Sequence, residues 1–377
     1  MQALRLYAGP AARRHIERHG LQPAHIGTIP AAAGGPKGLM LGPLDRFIFG
    51  EWLPRSAQPV HLIGASIGAW RMVTACMDAP VPAFEALERG YIHGEMTPPP
   101  GRKLPLPAQV SATTASNLRA MYEGHVPTIL SHPRYRLHVL ASRGRHLLAR
   151  EGRWRTPAGY VGAALTNVAS RRAMGGWIER VVFSSVAAGP LPFGTRDYRT
   201  RQCALTTGNF YPVLQASGSI PFFLEAVHDI PGAPPGAYWD GGITDYHLHL
   251  NYTAPDSAAD GAGLALAGGQ SDSQDLAGAL VLYPHFQRAV VPGWLDKGLK
   301  WRHRATPFLD RMLVLAPDPD WVRRLPGGKL PDRNDFQRLN HAERVRVWTA
   351  AVQAACQLAD EFADWLQRPD MGRVHSL

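Results

Sequence analysis

The sequence predicts an α/β fold: a layered arrangement in which helices flank a central, mostly parallel sheet. Two observations predict it. Short apolar runs alternate with segments of helical period through the first third of the chain, the strand–turn–helix rhythm of parallel α/β proteins. The composition, 45% hydrophobic and 19% charged over 377 residues, is that of a globular chain long enough for a large core. It reads as one domain over 1–377, with insertions.

The elements follow in order. Leu4–Tyr7 and His25–Ile29 are predicted strands, with a helix-like segment, Ala11–His19, between them. Lys37–Leu53 is a predicted helix from the spacing of Leu39, Leu41, Leu44, Phe47, Phe49 and Trp52. Val60–Gly64 is a short buried strand, and Ile67–Met77 a helix. His93–Pro107 holds five prolines that cannot sit in helix interiors and reads as an irregular connector, or as the edge of a lid. Further strands are predicted at Tyr135–Ala141, Arg180–Ser184, Ala279–Tyr283 and Arg311–Leu315. Residues 253–276 are rich in Ala, Gly, Ser and Asp and read as a mobile surface insertion. A C-terminal helix over 333–367 follows from the spacing of Phe336, Leu339, Trp348, Val352, Ala355, Leu358, Phe362 and Trp365. Its other face mixes both signs of charge, which suits docking on the core better than lying on a membrane.

Net charge is +10, and the densest basic stretch runs from Arg134 to Arg155 with Glu151 its only acid. A basic face attracts anionic headgroups or nucleic acid, while a solvated arginine-rich surface looks the same in sequence. Nucleic acid is the less favoured of the two partners. Met1–Tyr7 lacks the apolar stretch of a signal peptide, and no run approaches the ~18 apolar residues of a membrane span. Cys76, Cys203 and Cys356 are odd in number and far apart, which fits reduced thiols and offers no zinc spacing. The expectation is a cytoplasmic protein, at most peripheral to an anionic membrane.

Residues 62–70 read L-I-G-A-S-I-G-A-W. A tight turn could carry these glycines for its own sake. A nucleophilic serine also requires them: Gly64 and Gly68, two before and two after Ser66, leave room for a sharp strand-to-helix turn that exposes the hydroxyl. The helix after the turn aims its positive end at the site. Acyl transfer also needs donors for an oxyanion, and A-A-A-G-G-P-K-G at residues 31–38 supplies candidate N–H groups on Gly34 and Gly35. The loop lacks the spacing of a phosphate-binding P-loop. The third motif, Y-W-D-G-G at residues 238–242, is either a turn or a carboxylate, Asp240, held at a bend beside Ser66. Just upstream, L-Q-A-S-G-S-I-P-F-F at residues 214–223 fits a helix ending in a turn into an extended segment.

Taken in order, the glycine loop, G-x-S-x-G, A-S-x-x-I-P and D-G-G resemble the patatin-like phospholipase family, whose pattern is G-G-G-x-[RK]-G, G-x-S-x-G and D-G-[AG]. The resemblance spans the glycine loop to Asp240. It implies a three-layer patatin-like fold and a Ser-Asp dyad with Ser66 as nucleophile and Asp240 as base. It further implies an oxyanion loop at Gly34, Gly35 and Gly38, with Lys37 on the family's basic position. The implied activity is hydrolysis of lipid esters, of phospholipase A or lysophospholipase type, with no metal or organic cofactor. Ala33 stands where the family has its first glycine and still offers an N–H; Ala32 stands where many members have aspartate.

Two other readings stay open. A Ser-His-Asp esterase or acyltransferase needs a histidine after the acid, and His247, His249, His285, His303 and His341 all satisfy that order. A basic lipid- or nucleic-acid-binding protein with a vestigial pocket needs no catalysis at all. His247 and His249 share the face of a strand if one forms there, but no third metal ligand lies nearby in sequence.

Overall fold

The structure, a computed structural model, describes residues 2–95, 99–102, 105–254 and 278–377. Among these residues eleven strands form one sheet flanked by helices. In chain order they are β1 (Leu4–Ala8), β2 (Ile26–Ala31), β3 (Val60–Ala65), β4 (Tyr135–Gly144), β5 (Ile178–Ser184), β6 (Thr200–Ala204), β7 (Val227–His228), β8 (Ala237–Asp240), β9 (Leu280–Pro284), β10 (Met312–Pro317) and β11 (Val374–Ser376). The order across the sheet is β11-β1-β10-β9-β2-β3-β4-β5-β6, with β7 and β8 off this path. From β10 to β4 every pair is parallel. β1 on β10 and β5 on β4 are antiparallel. Every residue of β2, β5, β9 and β10 is buried, as strands covered by layers on both faces must be. All seven predicted strands form.

β8 decides the position of the site. It pairs antiparallel with β4 at Ala141–Arg143, while β3 pairs parallel with β4 as far as Leu140. β5 occupies the opposite edge of β4 over the same span. β3 and β8 therefore share one edge of β4 and run toward each other, their C-terminal ends meeting where Ala65 and Asp240 lie opposite Leu140 and Ala141. β8 has four residues and reads in sequence as part of a turn; its pairing with β4 and β7 makes it a strand. Strands as short as β7, β8 and β11 carry too few residues for a period to show.

Two predicted helices take a different form. Lys37–Leu53 is not one α-helix but a 3-10 segment (Gly35–Leu41), an α turn (Gly42–Phe47), a π segment (Ile48–Trp52) and a final 3-10 turn (Leu53–Arg55). Pro43 lacks an N–H for the preceding turn, so the helix restarts there, yet the apolar face stays buried except at the half-buried Phe47. The C-terminal helix begins at His341 rather than at 333. Asn340 caps it: its side chain accepts the Glu343 N–H (2.9 Å), and Glu343 accepts the Asn340 N–H (3.1 Å). Asp335–Arg338 is a separate short helix, and Phe336 is exposed rather than packed in the core. From Trp348 to Trp365 the helix docks on the core as expected, and Glu361 accepts the N–H groups of Ala3 and Leu4 at the start of β1.

Three helices had no strong period in sequence: Pro80–His93, Pro107–Tyr122 and Arg155–Ala169. The first two bracket the proline-rich connector, of which 96–98 and 103–104 lie outside the described residues. The predicted insertion at 253–276 lies outside them from residue 255 onward.

The basic stretch from Arg134 to Arg155 is not one cationic face, because most of it is β4 and its flanks. Arg143 donates to Glu179 (2.6 Å) and to Pro235 O, Arg145 to Gly175 O, Arg134 to Gln58 O, and Arg150 to Asp229 (2.6 Å).

Candidate active site

The apolar run of β3 ends at Ala65, and the chain turns sharply into the helix Ile67–Ala75. The turn places Ser66 at φ 57°, ψ −130°, a backbone conformation that a residue with a side chain rarely adopts and that costs on the order of 1–3 kcal/mol. Two contacts hold it. The Ser66 N–H donates to Ser217 Oγ (3.0 Å), and that hydroxyl donates in turn to Leu140 O (2.7 Å). The elbow glycines are required by space. A Cβ on Gly64 would lie 2.4 Å from Ala69 Cα, and one on Gly68 only 2.0 Å from Ala31 O. The helix thus packs hard against both the strand before it and the end of β2.

Asp240 ends β8. Its Oδ2 accepts the Ser66 hydroxyl at 2.7 Å, its Oδ1 accepts the Gly242 N–H at 2.7 Å, and its own N–H donates to Ser219 O at 2.8 Å. The first of the two glycines clears Leu140 O, which a Cβ on Gly241 would meet at 2.3 Å; on Gly242 a Cβ would lie 2.5 Å from Ala33 Cβ. The glycine loop, the serine elbow and the D-G-G turn are therefore in mutual contact, although they are far apart in sequence. Ser66 and Asp240 are both buried. Burial pushes the Asp240 carboxyl above its ordinary value; the Arg333 charge, the Ser66 hydroxyl, the Gly242 N–H and Lys297 pull the other way without cancelling it.

The glycine loop follows β2. Among the described residues neither the Gly34 nor the Gly35 N–H has a hydrogen-bond partner, and Gly34 lines a cavity together with Asp240. Gly35 needs its lack of a Cβ for a backbone φ of +56°. Ala33 is no spare donor: its N–H is engaged with Tyr246 O at 3.0 Å. Gly38 fits under the elbow helix, where a Cβ would lie 3.1 Å from the Ile67 side chain. Its place is a packing position. Lys37 lines the cavity with its ammonium 5.3 Å from the Phe286 ring. Desolvation lowers its pKa, with Asp332 opposing and Arg333 reinforcing the shift.

The cavity, about 240 Å³, is lined in part by Asp240, the partner of Ser66. Ala33, Gly34, Ile220, Pro221, Ile243, Tyr246 and Trp294 form its less polar wall, and Lys37, Lys297 and Arg333 bring three cations to it. Its other carboxylate, Asp332, accepts from Lys329 at 2.8 Å. The Lys297 ammonium stands 3.9 Å from the Tyr246 ring centre. Although much of that side chain is exposed, protein crowding around the ammonium, then the like charges of Arg333 and Lys37, push it down to about 8. Ser217, Ser219, Lys297 and Arg333 carry no motif of their own. The two serines stand in the quoted A-S-G-S-I-P stretch, but nothing in sequence points to Lys297 or Arg333.

The five histidines that satisfy the order of a triad lie elsewhere. None of them hydrogen-bonds to Ser66 or Asp240 among the described residues. His247 Nδ1 faces Ala289 O and the Val291 N–H, and His249 bridges Val290 O and the Thr306 hydroxyl. His285 is held by Gln287, His303 by Asp296 O, and His341 lies 3.1 Å from Arg344. Burial keeps His247 well below its ordinary value and His285 down to about 3, so both rings stay neutral. His247 and His249 do not stand on a strand; their segment is irregular.

Compared with known proteins, the chain matches no family model, and no curated protein is significantly similar to it in sequence.

Proposed function

We propose that the protein is a serine acyl hydrolase of lipid esters that works through a Ser66–Asp240 dyad, as the patatin-like phospholipases do. The observation that carries the proposal is the 2.7 Å hydrogen bond from the Ser66 hydroxyl to a buried carboxylate at the tip of a strained elbow. A buried carboxylate with a raised pKa is a stronger base than an exposed one. The Gly34 and Gly35 N–H groups in the neighbouring loop, without a partner among the described residues, suit the second requirement, donors for an oxyanion.

The steps follow from these parts. Ser66 Oγ attacks the acyl carbonyl carbon while its proton passes to Asp240 Oδ2. The carbonyl oxygen becomes an oxyanion facing the Gly34 and Gly35 N–H groups. The tetrahedral adduct collapses, the ester C–O bond breaks, and the departing alcohol or lysolipid takes the proton from Asp240. Water then attacks the acyl-enzyme with Asp240 again as base. A second collapse restores the Ser66 hydroxyl and releases the fatty acid.

The three cations at the cavity support an anionic ester, one bearing a phosphate or carboxylate near the scissile bond. Among the described residues no hydrogen bond joins Ser66 or Asp240 to a histidine, which favours the dyad over the triad. A fluorophosphonate probe tests the assignment directly. It should label Ser66 in the folded protein, and labelling should vanish in Ser66→Ala while the melting temperature holds. Label on another serine overturns it. Turnover on phospholipids, lysophospholipids and short acyl esters then ranks the substrates.

A further inference from the structure

The helix Arg155–Ala169 buries Thr156, Gly159, Tyr160, Ala163 and Asn167 against a satellite core that includes Leu148, Met174, Trp239 and Ile243. Its outer face is apolar instead of charged. Val161, Leu165 and Val168, four and three residues apart and so on one stripe, are 60%, 69% and 54% exposed. Beyond Arg155 the helix carries no charged residue. A helix side that faces water only is normally polar.

Both ends of the stripe are marked by an exposed tryptophan and by cations. Trp154, 77% exposed, precedes the first turn, with the Arg153 guanidinium 5.4 Å from its ring and Arg155 beside it. At the other end Arg302 holds Asn167 Oδ1 (3.3 Å) and Val168 O (3.1 Å), and its neighbour Trp301 is exposed, as are Arg172, Lys300 and Arg304. At the first end Asp229 pairs with Arg150, and Glu151 accepts the Ala226 N–H. The buried side of the same helix borders the cavity. Phe222, held exposed at φ 71°, lies 6.0 Å from the Tyr160 ring, and Phe222 and Phe223 follow directly on the cavity-lining Ile220 and Pro221. Trp294, another lining residue, belongs to a turn packed on the same helix.

We propose that this face is where the protein docks on an anionic lipid surface, bringing the cavity to the lipid boundary; the choice of occupant rests on the lipid-ester reading above. An apolar stripe between tryptophans, with cations outside them, fits the depth profile of a membrane interface: hydrocarbon, carbonyl belt, headgroup. Through Tyr160 the helix touches Phe222, next in sequence to the cavity-lining Pro221, which sets the helix beside the cavity. A second copy of the chain fits less well, because both ends of the stripe are cationic and either antiparallel or parallel pairing brings like charges together.

Sedimentation of the full chain carrying Ser66→Ala, with vesicles of phosphatidylcholine alone or mixed with phosphatidylglycerol, tests this without turnover. Partition should favour the anionic vesicles and weaken with salt. Val161→Glu with Leu165→Glu should lower it about tenfold or more, since carboxylates are poorly accommodated in the apolar layer. Trp154→Ala with Trp301→Ala should lower it as well; these positions are exposed, so neither pair disturbs the core. In the Ser66 background the Glu pair should keep turnover of a water-soluble short acyl ester. Absence of vesicle binding, or binding unchanged in both double variants, overturns the proposal. So does a dimer in light scattering that the Glu pair dissociates. Vesicle binding that is sensitive to the Glu pair, with no ester turnover by the Ser66 protein, upholds the docking face and rejects the hydrolase reading.

Discussion

Asp240→Asn separates the readings most cleanly at the scale of single residues. The amide keeps the shape and still accepts the Gly242 N–H, but it cannot take the Ser66 proton. Turnover should fall by about 10²–10⁴, the usual worth of a general base. Stability should not fall with it. The folded carboxyl titrates above its unfolded value, so the folded state holds its proton to higher pH, and the ionised group opposes folding at neutral pH. Asp240→Asn should therefore melt no lower than the parent at neutral pH. Any advantage should close as pH falls through the raised pKa toward the unfolded one. Single alanine replacements of His247, His249, His285, His303 and His341 should keep substantial activity; one folded but dead variant moves the chemistry to a triad. Lys297 belongs to the same scale. Its ammonium loses its proton near pH 8, so KM for an anionic ester should rise through that pH while a neutral ester feels less change. Lys297→Gln should abolish that limb of the KM profile and leave kcat on the neutral ester nearly intact.

At the scale of elements the site depends on how β3, β8 and the helix Phe210–Gly218 meet. Ser217 is the joint: it accepts from Ser66 N–H in the strained elbow and donates to Leu140 O in β4. Ser217→Ala leaves both buried backbone groups without that partner, a loss of about 1–3 kcal/mol by denaturant unfolding. The elbow should also lose its set, so kcat should fall more than KM rises. Ser217→Thr, which keeps the hydroxyl, should recover part of the activity; recovery of stability without any recovery of kcat would leave Ser217 a purely structural support.

The molecule as a whole is tied together under the cavity by a buried ionic network. Arg180 in β5 makes two bonds to Asp245 (2.7 and 2.6 Å), just past the D-G-G turn, and Arg171 bridges Asp245 to Asp296. Asp296 also receives Arg302 and Asn167. Arg180 and Asp245 are fully buried. Asp245→Ala leaves the buried Arg180 charge only the more distant Asp197 at 3.6 Å and should destabilise the protein by about 3–5 kcal/mol, with the loss read in the unfolding midpoint. Among the described residues no helix is long and apolar enough to cross a membrane.

Sequence by itself determined the class of fold and the candidate chemistry. Of the seven predicted strands, β2, β5, β9 and β10 were legible because burial on both faces demands apolar residues. Gly64, Ser66 and Gly68 were legible because a sharp elbow leaves only small residues room. The D-G-G turn was legible as a turn, and Asp240 as a candidate base only through its order after the elbow. The tertiary structure decided the rest. Whether Asp240 reaches Ser66 depends on β8 filling the edge of β4 beyond the end of β3, a long-range pairing with no local signature. The arginines of β4 read as a cationic run, but their strand turns them to Glu179 and to carbonyl groups. Lys297 and Arg333 converge on the cavity from segments without motif or period. The helix Arg155–Ala169 hid its meaning for a similar reason: its apolar residues lie on both sides, and only packing reveals which side the core leaves bare.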